Sequence, residues 1–194
     1  HIPYVEAMDE MGLTPSVIAG CSIGALLGAG WANGMSGEEL RDHSYRVLGS
    51  MRTIAGHVWG NQFKAIGTIL RKGLHMQLDA VEVVESFLPN PFPETFEELK
   101  IPFYVVATDF QSWHQVVFGT GPLRPAIAGS IAIPTLFKPV QFANHLLVDG
   151  GVVNPLPLDQ AAVGCDILVG IDVNGDPSHR LKRVEQRPLD VWFG

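Results

Sequence analysis

Cysteine is scarce in this sequence: the 194 residues hold two, Cys21 and Cys165, each in an apolar stretch rather than at the regular spacing of a disulfide framework. A fold stapled by disulfides is excluded, and reduced thiols in a cytoplasmic setting, with some association to membranes left open, are expected. Positive charge is scarce too. Thirteen Lys and Arg residues against twenty Asp and Glu give a formal charge of −7. Nucleic acid, which needs clustered cations, is excluded as a partner, and so is strong attraction to anionic headgroups. Long unbroken apolar runs are also missing. Residues 14–37 carry no charge, but Pro15 and the glycines at 20, 24, 28, 30, 34 and 37 interrupt them too often for a membrane span. A dinucleotide fingerprint fails because Gly28-Ala29-Gly30 is followed by Trp31, Ala32 and Asn33, without the third glycine.

What is present is a core. Hydrophobic residues make up 46% of the chain against 17% charged, enough for one packed domain, read here as residues 1–175 with a polar tail over 176–194. The amphipathic run Ile2 to Met11 predicts a helix stopped by Gly12; Ser16 to Ala19 predicts a short buried strand, and Ala25 to Ala29 a buried helix. Further helices are predicted over 36–51, after the cap Asp79, over 124–133 and from Pro157. Strands are predicted over 101–108, 113–118 and 166–173, with a hairpin of 140–142 and 145–148 turning at Asn144. Alternation of this kind predicts an α/β three-layer sandwich with a central, mainly parallel sheet flanked by helices. Residues 52–77 are of mixed character and read as a lid or substrate-facing cap.

Between the first strand and the second helix lies Gly20-Cys21-Ser22-Ile23-Gly24, a GxSxG sequence. In a strand-turn-helix context this spacing has a mechanical reason. A nucleophilic serine must stand on a strained turn with its hydroxyl clear of the backbone, and glycines two residues away remove the side chains that would collide. The helix that follows aims its positive end at a developing oxyanion, where the Ile23 amide can donate. Cys21 is expected to point into the core as a structural thiol.

A serine nucleophile needs a base, and none of the seven histidines sits in a motif that marks it as one. Asp149 ends the apolar run Leu146-Leu147-Val148 and is followed by Gly150 and Gly151, which allow close approach of another loop. On the residues alone, an ordinary Asp-Gly turn explains it as well. A triad in the order Ser22, Asp149, His179 also matches a known chain order. Leu26, Leu27, Leu136 and Phe137 are candidates to line an acyl channel, with core packing as the alternative.

Taken in order, AGCSIGALLGAGWANG around Ser22, GSIAIPTLFKPV from Gly129, LVDGGVVNPLPLD from Leu147 and CDILVGIDV from Cys165 resemble the bacterial patatin-like phospholipases. The resemblance implies the patatin-like sandwich and lipid acyl hydrolase activity by a Ser-Asp dyad through an acyl-enzyme. Ser22 and Asp149 would be the dyad, Gly20, Ile23 and Gly24 would complete the elbow, and Gly150 and Gly151 the aspartate motif. It implies a lipid or acyl ester substrate; such a mechanism needs no metal or organic cofactor, and the apolar balance of the chain suits peripheral contact with a membrane surface. The resemblance also implies a glycine-rich oxyanion loop ahead of the first helix, and an upstream segment carrying that loop is expected. A catalytically silent lipid-binding domain is the non-enzymatic alternative.

Overall fold

The computed structural model describes residues 1–47, 49 and 77–173. Helix α1 (Ile2–Glu10) carries a proline in its first turn, where the missing N–H has no intrahelical partner to lose, and the chain leaves it through Gly12 at φ +65°. Strand β1 (Ile18–Cys21) leads through one residue into α2 (Ile23–Ala32). Helix α3, described over 37–47, opens with a reciprocal capping box. The Ser36 hydroxyl accepts from the Glu39 amide and the Glu39 carboxylate accepts from the Ser36 amide. Asp79 caps α4 (Ala80–Phe87) by accepting from the Val81 amide, as its position predicts.

Strands β2 (Phe103–Asp109) and β3 (His114–Phe118) form a hairpin, followed by α5 (Leu123–Ser130). Strands β4 (Val140–Phe142) and β5 (His145–Asp149) form a second, its turn made by Ala143 and Asn144, both at positive φ. A short helix, α6 (Leu158–Ala161), comes last and lies against β1.

The expected α/β class with a central sheet and flanking helices is what forms, and the sheet is mixed rather than purely parallel. β1 runs parallel to β2, because a helical crossover separates them. The pairs β2/β3, β2/β5 and β4/β5 are antiparallel. Register decides where the chain brings residues together. β3 takes one edge of β2 over Val105–Asp109, so β1, paired to Phe103–Val106, and β5, paired to Ala107–Asp109, share the other edge end to end. They run in opposite directions and meet. Cys21 is opposite Val106 and Asp149 opposite Ala107, so the last residues of both strands abut over one peptide of β2.

Helices α2, α4 and α5 bury their apolar residues with Ile18, Phe103 and Val105 in one core. Burying a side chain such as Leu123, Ile127 or Leu147 completely contributes about 2 kcal/mol. Close helix-to-sheet contact is set by small residues: a Cβ on Gly28 would come 2.9 Å from the Phe103 ring, and one on Gly129 2.6 Å from Leu147.

One predicted element is absent. Residues 166–173 form no strand, and Ile167 is 82% exposed. Their apolar character satisfies the sequence pattern, but no described strand pairs with them, and a strand is defined by its backbone partner. The predicted lid over 52–77 lies outside the described residues except for residue 77, and so do residues 174–194, including the expected tail.

Candidate active site

Where β1 runs out against β5, the chain must turn sharply, and the residue that turns is Ser22, at φ 52° and ψ −125°. Left-handed φ in a non-glycine residue is a strained state that the surroundings must hold. The glycine two residues before it makes room. A Cβ on Gly20 would lie 2.5 Å from the Gly24 carbonyl oxygen and 2.8 Å from the Ala25 Cα. Gly24 itself has a different neighbour from the one expected: a Cβ there would meet only the His1 ring, at 3.4 Å, so the steric need for glycine is one-sided. Ser22 occupies the N-cap of α2 without capping it, because its hydroxyl is engaged elsewhere. The Ile23 amide, first in the helix, has no intrahelical acceptor and stands at the positive end of the α2 dipole beside Ser22.

The hydroxyl goes to Asp149. Ser22 Oγ donates to Asp149 Oδ2 over 2.5 Å across 127 positions of sequence. Asp149 Oδ1 accepts from the Gly151 amide at 2.7 Å, and the Asp149 amide donates to the Ala132 carbonyl at 2.9 Å. At 2% exposure, burial pushes the Asp149 carboxyl above the usual carboxylate range, against the lowering effect of the Ser22 and Gly151 hydrogen bonds. Gly150 is required by packing, since a Cβ there would overlap the Val106 carbonyl and come 3.0 Å from Cys21 Sγ. Gly151 carries the amide that holds Oδ1, and a Cβ would crowd that same oxygen at 3.0 Å. Cys21 is buried as expected, and burial together with the Asp149 charge pushes its thiol up to about 12, so it stays protonated and inert.

Among the described residues no histidine hydrogen-bonds Ser22 or Asp149, although the His1 ring lies near Gly24. His145 Nδ1 is 3.6 Å from Asp109 Oδ2, not beside Asp149, and His114 bonds its own hairpin at the Ser112 carbonyl. His179 lies outside the described residues. Of the candidate acyl-channel residues, Leu26, Leu27 and Phe137 belong to the core cluster and Leu136 is exposed. Residues with no sequence-level candidacy complete the surroundings. Ser130, fully buried at the end of α5, accepts from the Ser22 amide at 2.9 Å and donates to the Val106 carbonyl at 2.6 Å. The signal for it was the segment from Gly129 to Val140, whose small residues and proline had no catalytic role to suggest.

Chemically, the arrangement offers a strained, partly buried hydroxyl on a carboxylate whose proton affinity is raised, at a helix N-terminus. Known proteins with matching sequences point the same way. The family described as patatin-like phospholipase matches residues 1–162. An uncharacterized NTE family protein of Mycobacterium tuberculosis is 33% identical over 194 residues, all of this chain and 50% of that protein. Patatin-like phospholipase domain-containing protein 7 of Rattus norvegicus is 26% identical over 179 residues, 89% of this chain and 12% of its own length. Patatin-like phospholipase domain-containing protein 6 of Mus musculus is 25% identical over 182 residues, with the same coverage of 89% and 12%. The chain thus spans half the length of the mycobacterial relative.

Proposed function

The chain belongs to the patatin-like phospholipase family, and from that premise we propose that the protein hydrolyses acyl esters of phospholipids or lysophospholipids with Ser22 as nucleophile and Asp149 as base. The observation that carries the reading is the direct 2.5 Å hydrogen bond from Ser22 Oγ to Asp149 Oδ2. A histidine between the two, as a triad requires, has no room at that separation.

As Ser22 Oγ attacks the ester carbonyl carbon, its proton passes to Asp149 Oδ2 and the carbonyl oxygen becomes an oxyanion facing the start of α2. Collapse of the tetrahedral adduct breaks the ester bond. The alcohol leaves with the proton returned by Asp149, and the acyl group stays on Ser22. Water then attacks the acyl-enzyme, Asp149 accepts its proton, and the fatty acid departs as Ser22 recovers the proton. Raised proton affinity suits this role, because a carboxylate at its ordinary value is a weak base toward an alcohol. Substrates of this class reside at lipid surfaces, so peripheral contact with a membrane from the cytoplasm belongs to the proposal. Among the described residues no helix is long and apolar enough to cross one.

In the full-length protein, Ser22→Ala should cut hydrolysis of a short-chain acyl ester by at least about 10³-fold and abolish fluorophosphonate labelling. His179→Ala should leave the rate unchanged; near-complete loss there would replace the dyad by a triad. Wild-type protein that neither hydrolyses nor labels would leave a lipid-binding domain instead.

A further inference from the structure

We infer that Ser130 is a positioning residue for the nucleophile: its buried hydroxyl holds the Ser22 amide, and with it the strained elbow, at the distance at which Ser22 meets Asp149. The inference rests on the dyad reading above and extends it to the end of α5. Ser130 is 0% exposed, and its hydroxyl has two partners placed so that each defines the other. It donates its proton to the Val106 carbonyl at 2.6 Å, which leaves a lone pair turned to the Ser22 amide at 2.9 Å. Two residues on, the Ala132 carbonyl accepts from the Asp149 amide at 2.9 Å. The same three-residue stretch therefore grips the backbones of both Ser22 and Asp149, which are 127 positions apart in sequence.

The third point of the grip is the sheet. Val106 is the β2 residue opposite Cys21, and its carbonyl also underlies Gly150. Hydrogen bonding through one hydroxyl thus ties the nucleophile turn to a carbonyl of the central strand, while the aspartate turn packs closely over that same carbonyl and is held by Ala132. A second consequence concerns the oxyanion. With the Ser22 amide committed to Ser130, the donors left to a developing negative charge start at the Ile23 amide, which fixes the side from which an ester carbonyl must approach. Loss of the hydroxyl would free the Ser22 amide and let the elbow relax from φ 52°, moving Oγ from its partner.

The test compares Ser130→Ala and Ser130→Thr in the full-length protein, reading kcat and KM on a short-chain acyl ester, the rate of fluorophosphonate labelling and the melting temperature. Ser130→Ala should lose about 10- to 100-fold in both kcat and labelling rate with KM within about 2-fold, as misplacement of a reacting atom does. Ser130→Thr, which keeps the hydroxyl, should recover most of both. Should Ser130→Ala not fold, Ser130→Cys, close in volume but a poor acceptor, carries the same expectation. Labelling at the wild-type rate in the alanine or cysteine variant overturns the role of Ser130. An equal loss in the threonine and alanine variants at equal melting temperature overturns it too. Residual hydrolysis in Ser22→Ala would instead remove the dyad itself.

Discussion

Strand β1 has two surroundings within a few ångströms. Toward β2 every residue from Ile18 to Cys21 is paired with a residue from Phe103 to Val106, and this paired edge continues directly into Ser22 and Asp149. On its other edge β1 has no strand partner among the described residues. A groove of about 710 Å³ is lined by β1, α1 and residues 164–171, tied to the start of β1 by the 3.6 Å contact of Ser16 Oγ with Cys165 Sγ. Neither Ser22 nor Asp149 lines that groove. This groove and the Ser22–Asp149 pair are thus separate, and backbone pairing, rather than apolar surface, is what brings the pair together.

The largest effect should come from the paired side. Asp149→Asn keeps the shape but removes the proposed base, and hydrolysis should fall on the order of 10³-fold or more. By the proposed mechanism, activity requires the ionised carboxylate. Because burial raises its proton affinity, the acid limb of kcat/KM should fall at a pH above the ordinary carboxylate value of about 3.9. Stability should move the other way. A carboxyl whose folded pKa lies above its unfolded one binds its proton more tightly when folded, so stability falls as pH rises through that window. Asp149→Asn should therefore melt higher than wild type near neutral pH, and the gain should vanish in acid below the window. An acid limb at the ordinary value, or a variant that melts lower at neutral pH, would mean that Asp149 is not held in the buried state described.

The elbow offers a smaller, steric contrast. Gly20→Ala places a Cβ against backbone that cannot yield, and should cost about 3 kcal/mol in thermal or denaturant unfolding. Gly24→Ala meets only the His1 ring at ordinary contact distance and gains helix propensity, so its stability should stay within about 1 kcal/mol of wild type. Equal losses at the two positions would show that the turn needs glycine on both sides after all.

These contrasts also mark what could be read from the sequence. The GxSxG turn, the Asp-Gly-Gly turn and the hairpin at Asn144 rest on local chemistry and stand where predicted, because a strained turn or a hairpin constrains its own residues. The head-to-head meeting of β1 and β5 was not legible, since register is a property of two strands and no local pattern encodes it. Ser130 was hidden for the same reason. Its hydroxyl is interpretable only once Val106 and Ser22 are known to flank it, 24 and 108 positions away. The predicted strand over 166–173 failed in the opposite direction: its local pattern was strong, and no partner strand stands beside it among the described residues.

That failure sets the last and smallest effect. If residues 166–173 lie as described, Ile167, 82% exposed, contributes little packing, and Ile167→Ser should change stability by no more than about 0.5 kcal/mol. Val106, fully buried at the other side of β1, provides the reference: Val106→Ala should cost about 2 kcal/mol by the same measurement. A loss at Ile167 rivalling that at Val106 would mean that the segment is packed in the full-length protein, with its apolar residues buried by a neighbour that pairs with the open edge of β1. A negligible loss would show that apolar composition alone, without a backbone partner, leaves this stretch outside the core.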